Sequence, residues 1–480
     1  MEAWSKKILF LIFVCAFGTV NYGRTLKVPD EFPSIQTAID SSQNGDTVLV
    51  APGTYFENIN FSGKNIIVAS NFILTHDFSD IQNTIIDGSQ PVQPDTSSCV
   101  LIVSGEDSTA VLQGFTLTGG KGTKWTDEHG NGNYREGGGI LITLSSPTIK
   151  NNLITNNEAI NKSGVLSAGG GGIRIGDGNP VIENNVIIEN KGNYGAGIVL
   201  NFATGTVRNN IIAYNTGGQD FGGGGIWTYS AGSTTIDNNT IVFNSVSGTG
   251  NPAGRGGGIL VWSTTINAKN NIVWGNTQTT GSQITLLSSS GSSVTYSDVQ
   301  GGMSGTGNLD VDPLFDQNYF QLSTASPCID SGDTSIVYND PEDSTNPGYA
   351  EFPSLGSVRN DMGAYGGPFR NLFPDFTTAI FENHEKIIPD KYILYQNFPN
   401  PFNPSTVIKY VIPEENFVTL KVFDSLGREI AVLINKKQSK GEHQVSFDVN
   451  TLNKKISSGV YFYRLKSGEF TKTKKFLLLK

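Results

Sequence analysis

The chain has 480 residues, of which 57 are glycine, with 33 Lys+Arg against 43 Asp+Glu and only 16% charged residues. That length buries a large core and admits two or more domains, while low charge and abundant glycine favour short strands and tight turns over long amphipathic helices. The acidic balance excludes nucleic acid as a partner, because phosphate binding needs a basic face, and three cysteines are too few for a disulfide framework or a structural zinc site.

In chain order, the first element is a leader. Lys6 and Lys7 precede an apolar run over residues 8–17, followed by small and polar residues to Gly23. This predicts a signal peptide over residues 1–23 and export of the remainder. The run is too short to span a bilayer, and no other segment is suited to it. Removing Cys15 with the leader leaves Cys99 and Cys328, whose spacing does not decide between one disulfide and two free thiols. Next, "SIQTAID" has apolar residues at 35, 38 and 39, a helical spacing, and the strand "TVLVAPGTY" follows. A short helix here would cover the open end of a stack of coils, which otherwise exposes a sheet edge and apolar core.

A repeat then dominates. Asn-Asn occurs at 151/152, 184/185, 209/210, 238/239 and 270/271, and a further asparagine follows at 157, 190, 215, 244 and 276. Upstream of each pair stands Gly-Ile, at 139/140, 172/173, 197/198, 225/226 and 258/259. From glycine to first asparagine is 12 residues in four copies and 13 in the fourth, while the loop after the third asparagine absorbs nearly all other variation. A constant unit joined by a variable loop is the pattern of a solenoid. Each unit holds three short strands, which predicts a parallel β-helix whose coils stack about 4.8 Å apart. Asparagine is depleted in strands, and a buried one is costly unless its amide is bonded. Stacked at a bend, asparagines bond one to the next, and they tolerate the left-handed backbone a sharp bend needs.

Alternation after each glycine sends the first and third residues inward: Ile140/Ile142, Ile173/Ile175, Ile198/Leu200, Ile226/Thr228 and Ile259/Val261. The outward positions include Arg174, Asn201, Trp227, Tyr229 and Trp262 on successive coils. Aromatic rings interspersed with amide and guanidinium donors suit the faces and hydroxyl rims of sugars, or else pack beneath long loops. The longest loop of the repeat, residues 121–138, gathers Trp125, Asp127, Glu128, His129, Arg135 and Glu136. Carboxylates there could bind Ca²⁺, with Asp127 as candidate ligand, and Glu128, His129 or Arg135 could act on a proton; the alternative is an ordinary solvated loop. Downstream, Asp310 and Asp312 of "NLDVDPLFD" are further Ca²⁺ candidates, or turn-forming caps of the last coils.

Residues 373–389 read as a linker. Residues 391–480 carry 15 Lys+Arg against 7 Asp+Glu, a balance of +8 against −18 for the rest. Alternating runs such as "STVIKYVI", "VTLKVFD" and "GVYFYRL" predict a small antiparallel β-sandwich.

The "IQTAID…GDTVLVAPGTYFENI" opening and the "GGGI…PTIKNNLITNN" repeats resemble secreted bacterial right-handed parallel β-helix proteins of the pectate-lyase-like superfamily. "GNLDVDPLF", "SPCIDSGD" and "DMGAYGG" resemble the closing segment of exported β-helix proteins, and "NFPNPFNPSTVIKYVIP", "VFDSLGREI", "SSGVYFYRL" and "TKKFLLLK" resemble the type IX secretion C-terminal sorting domain. The resemblance implies an all-β chain. A right-handed parallel β-helix with its capping helix occupies residues 24–370, followed by a linker over 371–390 and a sorting β-sandwich over 391–480. It also implies recognition by the outer-membrane translocon and a place at, or release from, the surface of a Gram-negative bacterium. The site patterns of the pectin-degrading relatives are missing: there is no Asp-Asp, "EHGNG" is not Gly-His-Gly, and no arginine pair has the lyase spacing. The expectation is a monomer that binds extracellular polysaccharide through the aromatic face and the Trp125 loop. The rivals are a lyase acting on acidic glycans with Ca²⁺ and an inert adhesion module.

Overall fold

A computed structural model of the chain describes residues 23–373, apart from 131, 231 and 317–319, and most of residues 392–479. Residues 1–22 and 374–391, which include nearly all of the expected signal peptide and most of the linker, lie outside the described residues. The chain divides into two compact units, residues 1–375 and 376–480.

In the first unit each repeat makes one circuit of three strands, as in Ile173–Gly176, Val181–Glu183 and Val186–Ile188. Equivalent strands pair in parallel from coil to coil and build sheets of eight, ten and nine strands. Register is like on like, so Ile140, Ile173, Ile198, Ile226, Ile259 and Ile284 stand in one column. This is a parallel β-helix. Its interior is the aliphatic stack expected from the alternation, with Ile140, Ile142, Ile173, Ile175, Ile198 and Leu200 fully buried. The glycine ahead of each isoleucine is required by closeness: a Cβ on Gly172 would come 2.6 Å from the carbonyl oxygen of Gly197 in the next coil.

Each circuit turns three times on a left-handed residue. One bend uses Leu144, Asp177, Phe202, Ser230 and Ser263, and another the first asparagine of every pair, at φ of 52–57°. The last falls just before the third asparagine, at Asn156, Glu189, Tyr214 and Phe243. Asparagine pays less than other side chains for that conformation, which explains the first member of the pair. The second and third asparagines do different work. Asn152, Asn185, Asn210, Asn239 and Asn271 form one buried ladder, each amide bonded to the next side-chain oxygen at 3.0–3.1 Å. Asn157, Asn190, Asn215, Asn244 and Asn276 form a second, at 2.9–3.1 Å. The continuous ladder is thus made by the second asparagine of the pair, while the first members meet where the Asn270 amide donates to Asn238 at 3.2 Å.

Both ends of the stack are covered. The helix Ile35–Ser41 follows a capping box of Ser34 and Thr37 and buries Ile35, Ala38 and Ile39. The Glu57 carboxylate accepts from the Ile35 and Gln36 amides, at 2.9 Å each. At the far end Ser297 and Gln283 accept the last ladder bonds in place of a sixth asparagine. Residues 328–373 then run back along the outside of the coils. The Asn209 amide donates to the carbonyls of Ala364 and Gly366 at 3.0 and 2.7 Å, and that of Asn238 to Asp361 at 3.0 Å. The Asp333 amide donates to Asn270 at 2.7 Å. Phe369 lies 3.5 Å from the Arg208 guanidinium, and Asp333 pairs with Lys269 at 2.9 Å. Cys99 and Cys328 are both buried and free rather than joined.

The second unit is antiparallel throughout. Ser405–Ile412 and Gly441–Asp448 form the main pair of a three-stranded sheet. Asn416–Phe423, Glu429–Gln438, Gly459–Ser467 and Phe470–Leu478 form a four-stranded sheet. Alternate residues of both sheets, among them Ile408, Tyr410, Val418, Leu420, Tyr463 and Phe476, share one core. No described helix is long and apolar enough to cross a membrane.

Candidate functional site

The outer face of the eight-stranded sheet carries two columns of side chains, and they have different fates. Leu141, Arg174, Val199, Trp227 and Leu260 align in one column, and all are buried. Asn201, Tyr229 and Trp262 align in the other and remain half-buried. The difference comes from the loops that precede each Gly-Ile. These bring Tyr134, Tyr194 and Phe221 over the first column, where Tyr194 packs against Trp227 at 5.2 Å and against Phe221 at 5.5 Å.

Arg174 was expected on the outer face as a contact residue; it does leave the sheet on that face but is covered and offers no contact. It is wholly buried, and its guanidinium lies over Gly176, where an added Cβ would fall 2.0 Å from Nη1. A side chain at position 176 would deny it that place. Above it sit two carboxylates of the long loop. Glu128 accepts from Nη1 and Nη2 at 3.1 Å each, and Glu136 Oε2 makes an ion contact with Nε at 2.6 Å. Glu128 also accepts from Thr143 and, at 2.7 Å, from the Trp125 indole; the Tyr194 hydroxyl donates to Glu136. Burial alone would raise the Glu128 carboxyl, but Arg174 and Thr143 bring it down to about 2. Burial pushes Glu136 up despite the opposing charge of Arg174, and burial with Glu136 pushes the Tyr194 phenol well up. The guanidinium is thereby held firmly protonated by its two carboxylates.

Beside this network lies a pocket of about 270 Å³. Trp227, Tyr229, Trp262 and Phe202 supply aromatic walls, and Asp127, Glu136, Tyr134 and Asn201 supply polar ones. The rings do not form a flat platform. Tyr229 meets Trp262 at 57° and Phe202 at 89°, while Trp227 lies nearly parallel to Tyr229 at 5.7 Å. No lysine, arginine or histidine is among the described lining residues. Tyr134 reports the local potential: burial, then Asp127 and Glu136, raise its phenol.

The remaining candidates are placed elsewhere or tied to structural tasks. Trp125 does not line the pocket but positions Glu128. His129 pairs with Asp177 at 3.0 Å and stacks on Phe202 at 3.7 Å. Arg135, offered as a proton-handling group, is buried and donates to Asp95 and to the carbonyls of Pro94 and Gly122. Asp127 accepts the His129 amide at 2.9 Å and faces the Asn201 amide at 3.4 Å. Asp310 and Asp312, the other Ca²⁺ candidates, accept the backbone amides of Gly301 and Leu314 in local turns. Among the described residues no three His, Cys, Asp or Glu side chains gather as a cation site. Sequence reasoning missed Tyr134, Tyr194, Phe202 and Phe221 as pocket residues. A signal existed, because an aromatic recurs three to five residues ahead of Gly-Ile in three of the coils.

Comparison with known proteins agrees with this architecture. Residues 41–265 match the family model of the right-handed β-helix region, and residues 396–479 match the secretion system C-terminal sorting domain. No curated protein matches the chain. Among solved structures, a mutant PL6 family alginate lyase is similar at 12% identity with a TM-score of 0.19, over 70% of this chain and 57% of that one. The chain carries a right-handed β-helix region and a type IX secretion C-terminal sorting domain, and the latter marks it for secretion or the outer surface of a Gram-negative bacterium.

Proposed function

We propose that the exported β-helix binds extracellular polysaccharide in the pocket on its eight-stranded sheet. One observation carries this: Asn201, Tyr229 and Trp262, on three successive coils, present an amide and two half-buried rings to one cavity. Apolar ring faces set beside a few polar groups are what a sugar requires, since its C–H faces stack while its hydroxyls bond at the rim. The cavity is also prefabricated. Tyr194, Val199, Trp227 and Leu260 form a buried apolar layer beneath it, so the walls are held by packing before any ligand arrives. The lyase reading has no comparable support, because Arg135 is used up in three structural bonds and His129 is held by Asp177.

Affinity electrophoresis of the secreted protein through gels containing a panel of polysaccharides tests the reading. At least one neutral or charged polymer should retard the wild type, and Trp262→Ala should abolish that retardation while leaving the circular dichroism spectrum unchanged. Retardation that survives both Trp262→Ala and Tyr229→Ala would remove this pocket from consideration.

A further inference from the structure

The half-buried column on the eight-stranded sheet is walled at one end. It runs Gly176, Asn201, Tyr229, Trp262 and Leu287, one residue per coil. The wall stands at the Gly176 end. Thr123–Thr126 and Asn133–Glu136 pair as an antiparallel hairpin, and the second strand pairs in turn with Ala168–Gly169. The hairpin comes down across the column, where His129 bonds Asp177 at 3.0 Å and stacks on Phe202 at 3.7 Å. Glu128 ties the same turn to the Arg174 guanidinium at 3.1 Å. Backbone pairing at its base and side-chain bonds at its tip hold the wall in place before a ligand arrives. The other end is built differently. Residues 277–283, which precede the last strand, contain no aromatic side chain, and the column runs on to half-buried Leu287 at the edge of the sheet. The space between is small. At about 270 Å³ it falls below the ~300–1,000 Å³ of sites that enclose a drug-sized ligand. Asn201, Tyr229 and Trp262, on successive coils, give it a floor only ~10 Å long.

We infer that the pocket takes the end of a polysaccharide chain, one terminal sugar with its neighbour trailing out past Trp262, and does not bind the interior of a chain. This rests on the polysaccharide-binding reading and narrows it. The terminal unit stands against the hairpin, with its apolar face on Tyr229 and its hydroxyls toward Asn201, and the next unit lies on Trp262 at the mouth. An internal unit has a neighbour on both sides, and the second neighbour runs into His129 and Phe202. The steep ring angles agree with this. Tyr229 meets Phe202 at 89° and Trp262 at 57°, so the rings box in a single unit, whereas a passing chain needs a row of coplanar faces.

The test is calorimetric titration of the full secreted protein with linear polymers of acidic, neutral and amino sugars: alginate, polygalacturonate, xylan and chitosan. Each is used intact and after partial acid hydrolysis to roughly a tenth of its chain length. Equal masses then differ about tenfold in chain ends and hardly at all in interior units, and occupancy follows the molar concentration of whichever is bound. For a polymer that binds, the mass at half-saturation should fall about tenfold on shortening. The comparison is read on the wild type, so no variant has to fold. Half-saturation at the same mass before and after shortening would overturn the chain-end selection and leave the polysaccharide reading in place. Binding of none of the polymers, intact or shortened, would overturn the chain-end selection and, together with no retardation in the polysaccharide gels, the polysaccharide reading as well.

Discussion

Asn210 occupies the middle of the first ladder, and replacing it with alanine isolates what a ladder bond is worth. Its side-chain oxygen accepts from the Asn185 backbone and side-chain amides, at 3.0 Å each. Its own amide reaches the carbonyls of Ile182 and Arg208 at 2.8 and 2.9 Å and the Asn239 oxygen at 3.1 Å. Some of those partners have a second bond. The Asn185 side chain keeps the Ile149 and Glu183 carbonyls, and the Asn239 oxygen keeps the Asn210 backbone amide. The Ile182 carbonyl keeps its bond in the parallel ladder that pairs Glu183 with Arg208, so the Asn185 backbone amide alone is left buried without a partner. An orphaned buried polar group costs ~1–3 kcal/mol, so a loss of about 1–3 kcal/mol is predicted. Urea unfolding of the full chain, followed by tryptophan fluorescence, measures the loss against Asn179→Ala. Asn179 is an exposed asparagine of the same repeat region, whose replacement should change stability by no more than roughly 0.5 kcal/mol. If the two variants unfold within about 0.5 kcal/mol of one another, the ladder is an ornament of the bend and not a support of the stack.

Other outcomes follow from particular side chains. Thr228 fills a core position with a hydroxyl that finds no hydrogen-bond partner, so Thr228→Val should raise stability by about 1 kcal/mol in the same urea experiment. Arg174→Met strands Glu128 and Glu136 beneath the loop and should destabilise by ~3–5 kcal/mol, with Glu136→Gln restoring part of the loss; equal stability of the single and double variants would contradict the network. Burial, with the Asp361 charge, raises the Asp340 carboxyl to about 8, and burial raises Asp361 itself to about 7. Both folded values lie above the unfolded one of about 4, so the segment over residues 328–371 is held best in acid and loosens as pH rises from about 4 to 8, with no further loss above that. Hydrogen exchange of that segment, corrected for intrinsic rate, should quicken between about pH 5 and 8, and constant protection would refute the assignment.

The coil, the bends and the inward stack were legible because they depend on local chemistry repeated in register. Gly-Ile marks where coils approach most closely, and each asparagine sits where a bend or a buried carbonyl needs it. The capping helix was legible for a similar reason, since Ile35, Ala38 and Ile39 fall on one helical face. What the alternation could not reveal is the covering of that outer face. Arg174 reads as outward and does leave the sheet outward, yet Gly176 two residues on gives it room to lie down, and Glu128 and Glu136 arrive from a loop some 40 residues earlier to neutralise it. The pocket was half legible: Asn201, Trp227, Tyr229 and Trp262 were named, while Phe202 hides at a bend position that other coils fill with Leu, Asp or Ser, and the loop aromatics recur at uneven distances ahead of Gly-Ile.

The return of residues 328–373 along the coils has a consequence for how the body holds together. A stacked array is nearly one-dimensional, and each coil answers only to its neighbours, so damage at one place need not be felt at another. Here Asn209 and Asn238 are bonded to residues 122–157 positions further along the chain, which spans several coils at once. The middle turns cannot be locked until the last part of this unit has been made, and once locked they cannot peel away singly. The string of beads has been tied into a ring.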